Sequence, residues 1–88
     1  GSEMCIRDSI YATLHAAVSK SQEMTPAQLK AWVTAEVERN PLLKVIYYQS
    51  VDARTMQEVA TWDDSPRIQG CIAVQAGDIR LIDNICIR

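Results

Sequence analysis

Few side chains in this sequence have the chemistry that a catalytic or metal site needs, and they stand far apart along the chain. His15 is the only histidine, and it lies within a helical pattern of apolar residues. A general base needs a partner and a cleft, so we interpret His15 as a partly exposed structural residue. Cys5, Cys71 and Cys86 form no Cys-x-x-Cys pair. The sequence therefore predicts no metal site, because both ligand number and ligand spacing are wrong for zinc.

The two later cysteines flank a predicted hairpin, where a disulfide is one possible interpretation. We favour the other, that the cysteines are small buried thiols of the core in a reducing compartment.

Arg80, Asp83 and Asn84 are the remaining polar candidates, on a run typical of a strand. Because side chains alternate along a strand, Arg80 shares a face with Ile82 while Asp83 lies on the opposite face with Leu81. The arginine and the aspartate therefore form no simple same-face pair. We favour a structural interpretation, in which Arg80 is solvated or salt-bridged and Asp83 and Asn84 bond nearby backbone amides.

Composition describes one folded domain and excludes several classes of partner. The chain has 88 residues, of which 48% are hydrophobic and 23% charged, with a net charge of -2. That balance gives no positive electrostatic field that would attract nucleic acid, and no apolar run is long enough to cross a bilayer. The start of the chain also lacks the pattern of a secretion signal, so we expect a cytoplasmic location. With only 3 glycines, there is no phosphate-binding loop.

Two helices are predicted in the first half. We interpret residues 1–8 as a cloning scar or other foreign sequence, because Gly-Ser opens the chain and Glu3 to Asp8 continue no periodicity. A first helix follows, capped by Asp8 or Ser9. Its apolar stripe consists of Ile10, Leu14, Ala17 and Val18.

The second helix has clear local signals at both ends. Thr25-Pro26-Ala27-Gln28 is a capping box with proline at the first helical position. Asn40-Pro41 ends the helix, because the residue before proline is pushed out of the helical region. Trp32 belongs to the apolar stripe and is predicted to anchor the core, whereas Trp62 lies in a loop and could mark an interface.

The second half predicts a small antiparallel sheet. Residues 43–51 are rich in Val, Ile and Tyr on both faces, which indicates a strand inside the sheet or one covered on both sides. Asp52 begins a turn in which its carboxylate accepts backbone amides two or three residues on. A short extended piece is expected over residues 56–60.

A hairpin closes the chain. Gly77-Asp78 separates the run 71–76 from the run 79–87, with glycine where a positive φ is needed. The predicted register pairs Ala76 with Ile79, Val74 with Leu81 and Ile72 with Asp83. The fold class is therefore α+β, two helices packed on a small antiparallel sheet with a C-terminal hairpin.

Three stretches carry a resemblance to a known family: residues 48–56, read as YQSVDARTM, residues 70–74, read as GCIAV, and residues 77–84, read as GDIRLIDN. Together with the order of elements, they resemble the C-terminal domain of pantothenate synthetases, also called pantoate beta-alanine ligases. The resemblance covers about Ser9 to Ile87, so that residues 9–88 would form this domain. Residues 10–14 look like its first helix.

The resemblance implies an activity that this chain alone would not have. Such enzymes use ATP and Mg²⁺ to form pantoyl adenylate, which the amine of beta-alanine attacks to give pantothenate, on the route to coenzyme A. The nucleotide-binding residues lie on an N-terminal domain, and a serine and an arginine before the first helix reach the phosphates. Arg7-Asp8-Ser9 is only superficially similar to that segment, because the preceding serines are absent.

We therefore assign no catalytic, cofactor-binding or metal-binding residue to this chain. The resemblance implies a lid domain that covers the adenylate site, inactive alone, with the N-terminal nucleotide-binding domain as its partner. In this setting, the functional alternative for Arg80, Asp83 or Asn84 is contact with that domain or ordering of the lid. The alternative for the whole chain is a self-contained protein-protein interaction module. A homodimer is a further expectation.

Overall fold

The structure is a computed structural model that describes residues 3–88, with side chains from Ile6 onward. Helix α1 spans Glu3–Lys20 and helix α2 spans Pro26–Val37. Strands β1, β2 and β3 span Leu43–Asp52, Ile68–Ala76 and Ile79–Cys86, with a short 3-10 helix at Trp62–Asp64 between β1 and β2. The strands form one antiparallel sheet in the order β1-β2-β3. The predicted α+β class is confirmed.

Helix α1 begins earlier than the sequence indicated. Asp8 and Ser9 lie inside the helix, where the Ser9 carbonyl accepts a hydrogen bond from Thr13 Oγ1 at 3.1 Å. The predicted cap at Asp8 or Ser9 is therefore wrong. The reason is Ile6, which lies one turn before Ile10 and packs against the same core, so the apolar stripe starts within the segment that seemed aperiodic.

Helix α2 confirms its predicted capping box. The Thr25 amide donates to Gln28 Oε1 at 3.0 Å, and the Gln28 amide donates to Thr25 Oγ1 at 3.2 Å. Two helix-end donors are thus satisfied reciprocally. The helix ends at Val37, a few residues before the predicted Asn40-Pro41 stop.

Strand β1 is an edge strand, which corrects the prediction of a strand inside the sheet or covered on both faces. Its apolar residues occupy both faces because the pairing with β2 shifts between Val45 and Tyr47, where Ile46 is the extra residue of a bulge. The bulge resets the alternation, so Val45 and Tyr48 face the helices and Ile46 is left exposed.

The hairpin has the predicted register. Ala76 pairs with Ile79, Val74 with Leu81 and Ile72 with Asp83, and Gly77 has φ of 62° in the turn. A left-handed backbone at this position is cheapest for glycine. The expected extended piece at residues 56–60 is present as one isolated bridge between Val51 and Glu58.

One face of the sheet carries both helices. Helix α2 packs on β1, and α1 packs on α2 and β3. The core between these layers is made of buried apolar residues: Ile10, Leu14, Ala17, Leu29, Val33, Val37, Leu43, Tyr48, Val59, Ile68, Ile72, Val74, Leu81 and Ile87.

Gly70 makes room for the largest of these side chains. A Cβ at position 70 would stand 2.7 Å from the Tyr48 hydroxyl oxygen. The missing side chain therefore leaves space for the Tyr48 ring over β2.

Candidate functional site

Strand β3 separates the polar candidates instead of bringing them together. Arg80 is exposed opposite Gln75, while Asp83 is half-buried on the helix-covered face opposite Ile72. Asp83 Oδ1 accepts the Asn84 backbone amide at 2.8 Å. The predicted bond of Asp83 to a nearby backbone amide is present, and the prediction that Arg80 and Asp83 do not share a face is confirmed.

The contacts of His15 and Trp32 are also those expected of structural residues. His15 is exposed, and its ring lies 5.8 Å from the Tyr11 ring, measured between centroids. Trp32 is half-buried and packs against the core, as predicted, with Lys20 Nζ 5.8 Å from its ring centroid.

Trp62 joins two loops that are distant in sequence. Its indole Nε1 donates to the Met24 carbonyl at 2.7 Å, which ties the 3-10 helix to the connection between α1 and α2. The Arg88 guanidinium lies 5.0 Å from the Trp62 ring centroid and also donates to Ser21 Oγ and Ser21 O, both at 3.0 Å. Sequence patterns gave no signal for these contacts, because none of them is local.

These contacts line an open cleft of about 640 Å³ between the α1–α2 connection and residues 60–66. Several of its polar groups are engaged in the fold, since Ser21 is buried and bonded to Arg88, and Trp62 is bonded to Met24. The exposed side chains of Glu23 and Asp63 also line the cleft.

Asp52 forms the predicted turn. Its Oδ1 accepts the amides of Arg54 at 2.7 Å and Thr55 at 3.0 Å, and its carbonyl accepts the Met56 amide at 2.8 Å. The Thr55 amide, then the nearby Ser65 hydroxyl and the Arg54 amide, lower the pKa of Asp52. An ionised carboxylate held this way stabilises the turn and is a poor proton acceptor.

Asp64 has the same kind of environment. Its carboxylate accepts the amides of Ala60 at 2.9 Å and Thr61 at 3.1 Å, and the Thr61 hydroxyl at 3.1 Å. The Thr61 amide, then the Ala60 amide and the Thr61 hydroxyl, lower the pKa of Asp64. It serves as a local cap for the 3-10 helix.

Tyr48 carries a buried phenol. Its hydroxyl lies 3.3 Å from the Ser50 hydroxyl, and both side chains are almost fully buried. Burial raises the pKa of Tyr48, and the bond with Ser50 opposes that shift in part. The phenol is closed off from any substrate.

The expectation of buried core cysteines is wrong for Cys86 and only partly right for Cys71. Cys86 is exposed and Cys71 is half-buried, and both are free thiols. They alternate with core residues such as Ile72 and Ile87, so they lie on the face of the sheet without helices. Partial burial raises the pKa of the Cys71 thiol. The side chain of Cys5 lies outside the described residues.

The described residues contain neither a metal-binding cluster nor a membrane-spanning helix. No three His, Cys, Asp or Glu side chains among them are grouped as a metal site would require. Within the same residues, no helix combines the length and the apolar character needed to span a membrane. Asp52, Asp64 and Tyr48 serve a turn, a cap and core packing.

The fold matches part of a longer protein of known structure. The crystal structure of pantothenate synthetase from Thermus thermophilus superposes with a TM-score of 0.79 at 20% identity, covering 99% of this chain and 32% of that one. At this identity the likeness shows the fold alone, that of one α+β domain within a larger chain.

Sequence comparison shows the family. The family model described as pantoate-beta-alanine ligase matches residues 5–86. The pantothenate synthetase of Porphyromonas gingivalis is 36% identical over 83 residues, which cover 94% of this chain and 30% of that protein. The enzyme of Bacteroides thetaiotaomicron is 37% identical over 84 residues, covering 96% of this chain and 27% of that protein. The chain belongs to the pantoate-beta-alanine ligase family, and it spans about 30% of the length of these curated relatives.

Proposed function

We propose that this chain is the C-terminal lid domain of a pantothenate synthetase. In the intact enzyme it would cover the site where ATP, pantoate and beta-alanine are condensed through pantoyl adenylate, and it would keep water away from that intermediate. ATP and Mg²⁺ would be held by the preceding nucleotide-binding domain, and the enzyme would act in the cytoplasm on the route to coenzyme A.

The main support for this proposal is the family match over residues 5–86. It agrees with several titratable side chains that are engaged in local structure. Asp52 and Asp64 hold turns, Asp83 bonds its neighbour's amide, and the Tyr48 phenol is buried. Adenylate formation needs positive charge and donors arranged around a triphosphate. The arrangement of these groups favours a covering role over a chemical one.

The origin of residues 1–8 is a separate proposal. We propose that residues 1–8 are foreign to the domain, although helix α1 runs through residues 3–8, Ile6 contacts the core and the family match begins at residue 5. A single apolar contact of this kind is available to any sequence that continues a helix. Reading the gene upstream of Ser9 tests this directly: native family sequence at those positions would contradict it.

The activity test compares two proteins. The 88-residue chain alone is expected to show no pantoate-dependent exchange between pyrophosphate and ATP. A chimera in which residues 9–88 replace the matching part of the Porphyromonas gingivalis relative is expected to form pantothenate. Exchange that copurifies with the chain alone would contradict the proposal, as would a chimera that folds by circular dichroism but forms no pantothenate.

A second candidate, an interaction module that binds another protein or itself, is favoured by the exposed apolar side chains Leu42 and Ile82. A homodimer is the simplest form of it. Light scattering across a hundredfold concentration range discriminates: a monomer throughout contradicts self-association, whereas growth in mass with concentration supports it.

A further inference from the structure

A pocket at the base of the connection between β1 and β2 has two arginines in its lining. It has a volume of about 490 Å³ and lies between the end of β1 and the start of β2. Its lining residues are Asp52, Ala53, Arg54, Ser65, Pro66 and Arg67. Volumes of this size are typical of sites that bind small molecules. The proposed covering role makes no use of this pocket.

Hydrogen bonds hold the backbone of the two arginines close together. The Ala53 amide donates to the Arg67 carbonyl at 2.9 Å, so the residue before Arg54 is bonded directly to Arg67. The hydroxyl of the buried Ser65 donates to the same carbonyl at 2.8 Å and accepts the Arg67 amide at 3.2 Å. The backbone that carries both arginines is therefore positioned by the fold before any ligand binds, which lowers the cost of binding.

The charged groups of the pocket favour an anion. Arg54 and Arg67 are both exposed, and within the described part of the chain neither forms a salt bridge. Asp52 is the one carboxylate among the lining residues, and its Oδ1 already accepts the Arg54 and Thr55 amides. Those bonds, that of the Thr55 amide first, lower the pKa of Asp52 and compensate its charge within the turn. The two guanidinium groups therefore leave an excess of positive charge.

A pair of guanidinium groups is better matched to a phosphoryl group than to a carboxylate. Each guanidinium presents a planar fork of N–H donors, and one fork satisfies both oxygens of a carboxylate in the bidentate arrangement. The terminal oxygens of a phosphate monoester can accept from two forks at once, and the group carries about −1.5 to −2 charges near pH 7. Pro66 and Ala53 add an apolar part of the lining that an organic group can contact.

We propose that this pocket binds a small organic phosphate monoester, with the guanidinium groups of Arg54 and Arg67 on the phosphoryl oxygens and the organic group against Pro66. The proposal does not depend on the covering role proposed for the domain, because it concerns only the charge and shape of this pocket. Loss of either proposal would leave the other unaffected.

The experiment titrates the 88-residue chain with phenyl phosphate and follows the NMR signals of backbone amides and arginine side chains. Signals of residues 53–54 and 65–67 should shift and saturate, with a Kd on the order of 1 mM or below. Benzoate keeps the ring and lacks the phosphoryl group, so it should bind at least about tenfold more weakly. Inorganic phosphate should also bind more weakly, because it has no organic group.

Three results of the titration would overturn the proposal. The first is a set of shifts that do not saturate, which is the behaviour of separate solvated arginines. The second is saturation at residues outside the pocket. The third is an affinity for benzoate or for inorganic phosphate equal to that for phenyl phosphate.

Single substitutions test the two arginines. Arg54→Gln and Arg67→Gln should each weaken the binding of phenyl phosphate by about tenfold or more, because each removes one fork. Arg80→Gln is the control, since it removes the same charge from an exposed arginine on β3 that does not line the pocket. Equal losses in all three variants would show a general attraction to positive charge and would overturn the assignment.

Lysine variants separate charge from geometry. Arg54→Lys and Arg67→Lys keep the charge and remove the fork, so they should retain only part of the affinity. Full retention in both would contradict the bidentate arrangement. Thermal melts like that of the wild type show that each variant folds, and if one position does not tolerate substitution, the variants of the other arginine decide.

Discussion

The two faces of the sheet are built from similar residues but have different roles. Tyr48, Ile72 and Val74 lie on the face that both helices cover and are almost fully buried. Tyr47 and Ile82 lie on the other face, where Tyr47 is half-buried and Ile82 is exposed. Residue type alone did not separate the faces. The bulge at Ile46 and the position of the helices did.

The largest expected difference between the faces concerns isoleucine. Ile72→Ala removes fully buried atoms from the core between the helices and the sheet and should lower the free energy of unfolding by about 2–5 kcal/mol. Ile82→Ala, the matched change on the open face, should stay within about 0.5 kcal/mol. Urea unfolding of both variants measures this. Similar losses would mean that the open face is covered in solution.

A smaller difference is expected for the neighbouring tyrosines. Tyr48→Phe removes the hydroxyl beside Ser50 and leaves the buried Ser50 hydroxyl with one partner fewer, at a cost of about 1 kcal/mol. Tyr47→Phe should change stability by less than about 0.5 kcal/mol. Thermal and urea melts of the pair provide the comparison, and a larger loss for Tyr47→Phe would reverse the assignment of the faces.

The smallest expected effect is a loss of folding stability at alkaline pH. Burial raises the pKa of Tyr48 above its unfolded value of about 10. The folded state then holds its proton where the unfolded state releases it, so stability is intact below about pH 10 and falls as pH rises above that value. Tyr48→Phe should lose this component of the decline, and Tyr47→Phe should keep it. Unfolding curves between about pH 8 and about pH 11 test the sign; an identical slope in wild type and Tyr48→Phe would contradict it.

Local chemistry explains what the sequence predicted well. The Thr25 and Gln28 capping box, the Asp52 turn and the hairpin register depend on residues within a few positions of one another. Each pattern has one low-energy geometry, so the sequence is sufficient to predict it.

Contacts between distant segments explain what it missed. The edge position of β1 depends on the pairing partners of β2. The indole of Trp62 reaches Met24, 38 residues away. The start of α1 was predicted too late, because Ile6 can be recognised as part of the apolar stripe only when its contact with the core is known. For the site, the family stretches located the domain, whereas the contacts of Trp62 with Met24 and Arg88 join segments that are distant in sequence.

The bond between Glu38 and the Val45 amide has a consequence for aggregation. Strand β1 is an edge, and an edge amide without a partner is a template on which another chain can add as a strand. The Glu38 carboxylate occupies that amide, and the Val51–Glu58 bridge covers the other end of the same strand. A loss of Glu38 would therefore open a nucleation point for intermolecular sheets at β1, and the protein would become prone to form fibrils while its folded core stayed the same.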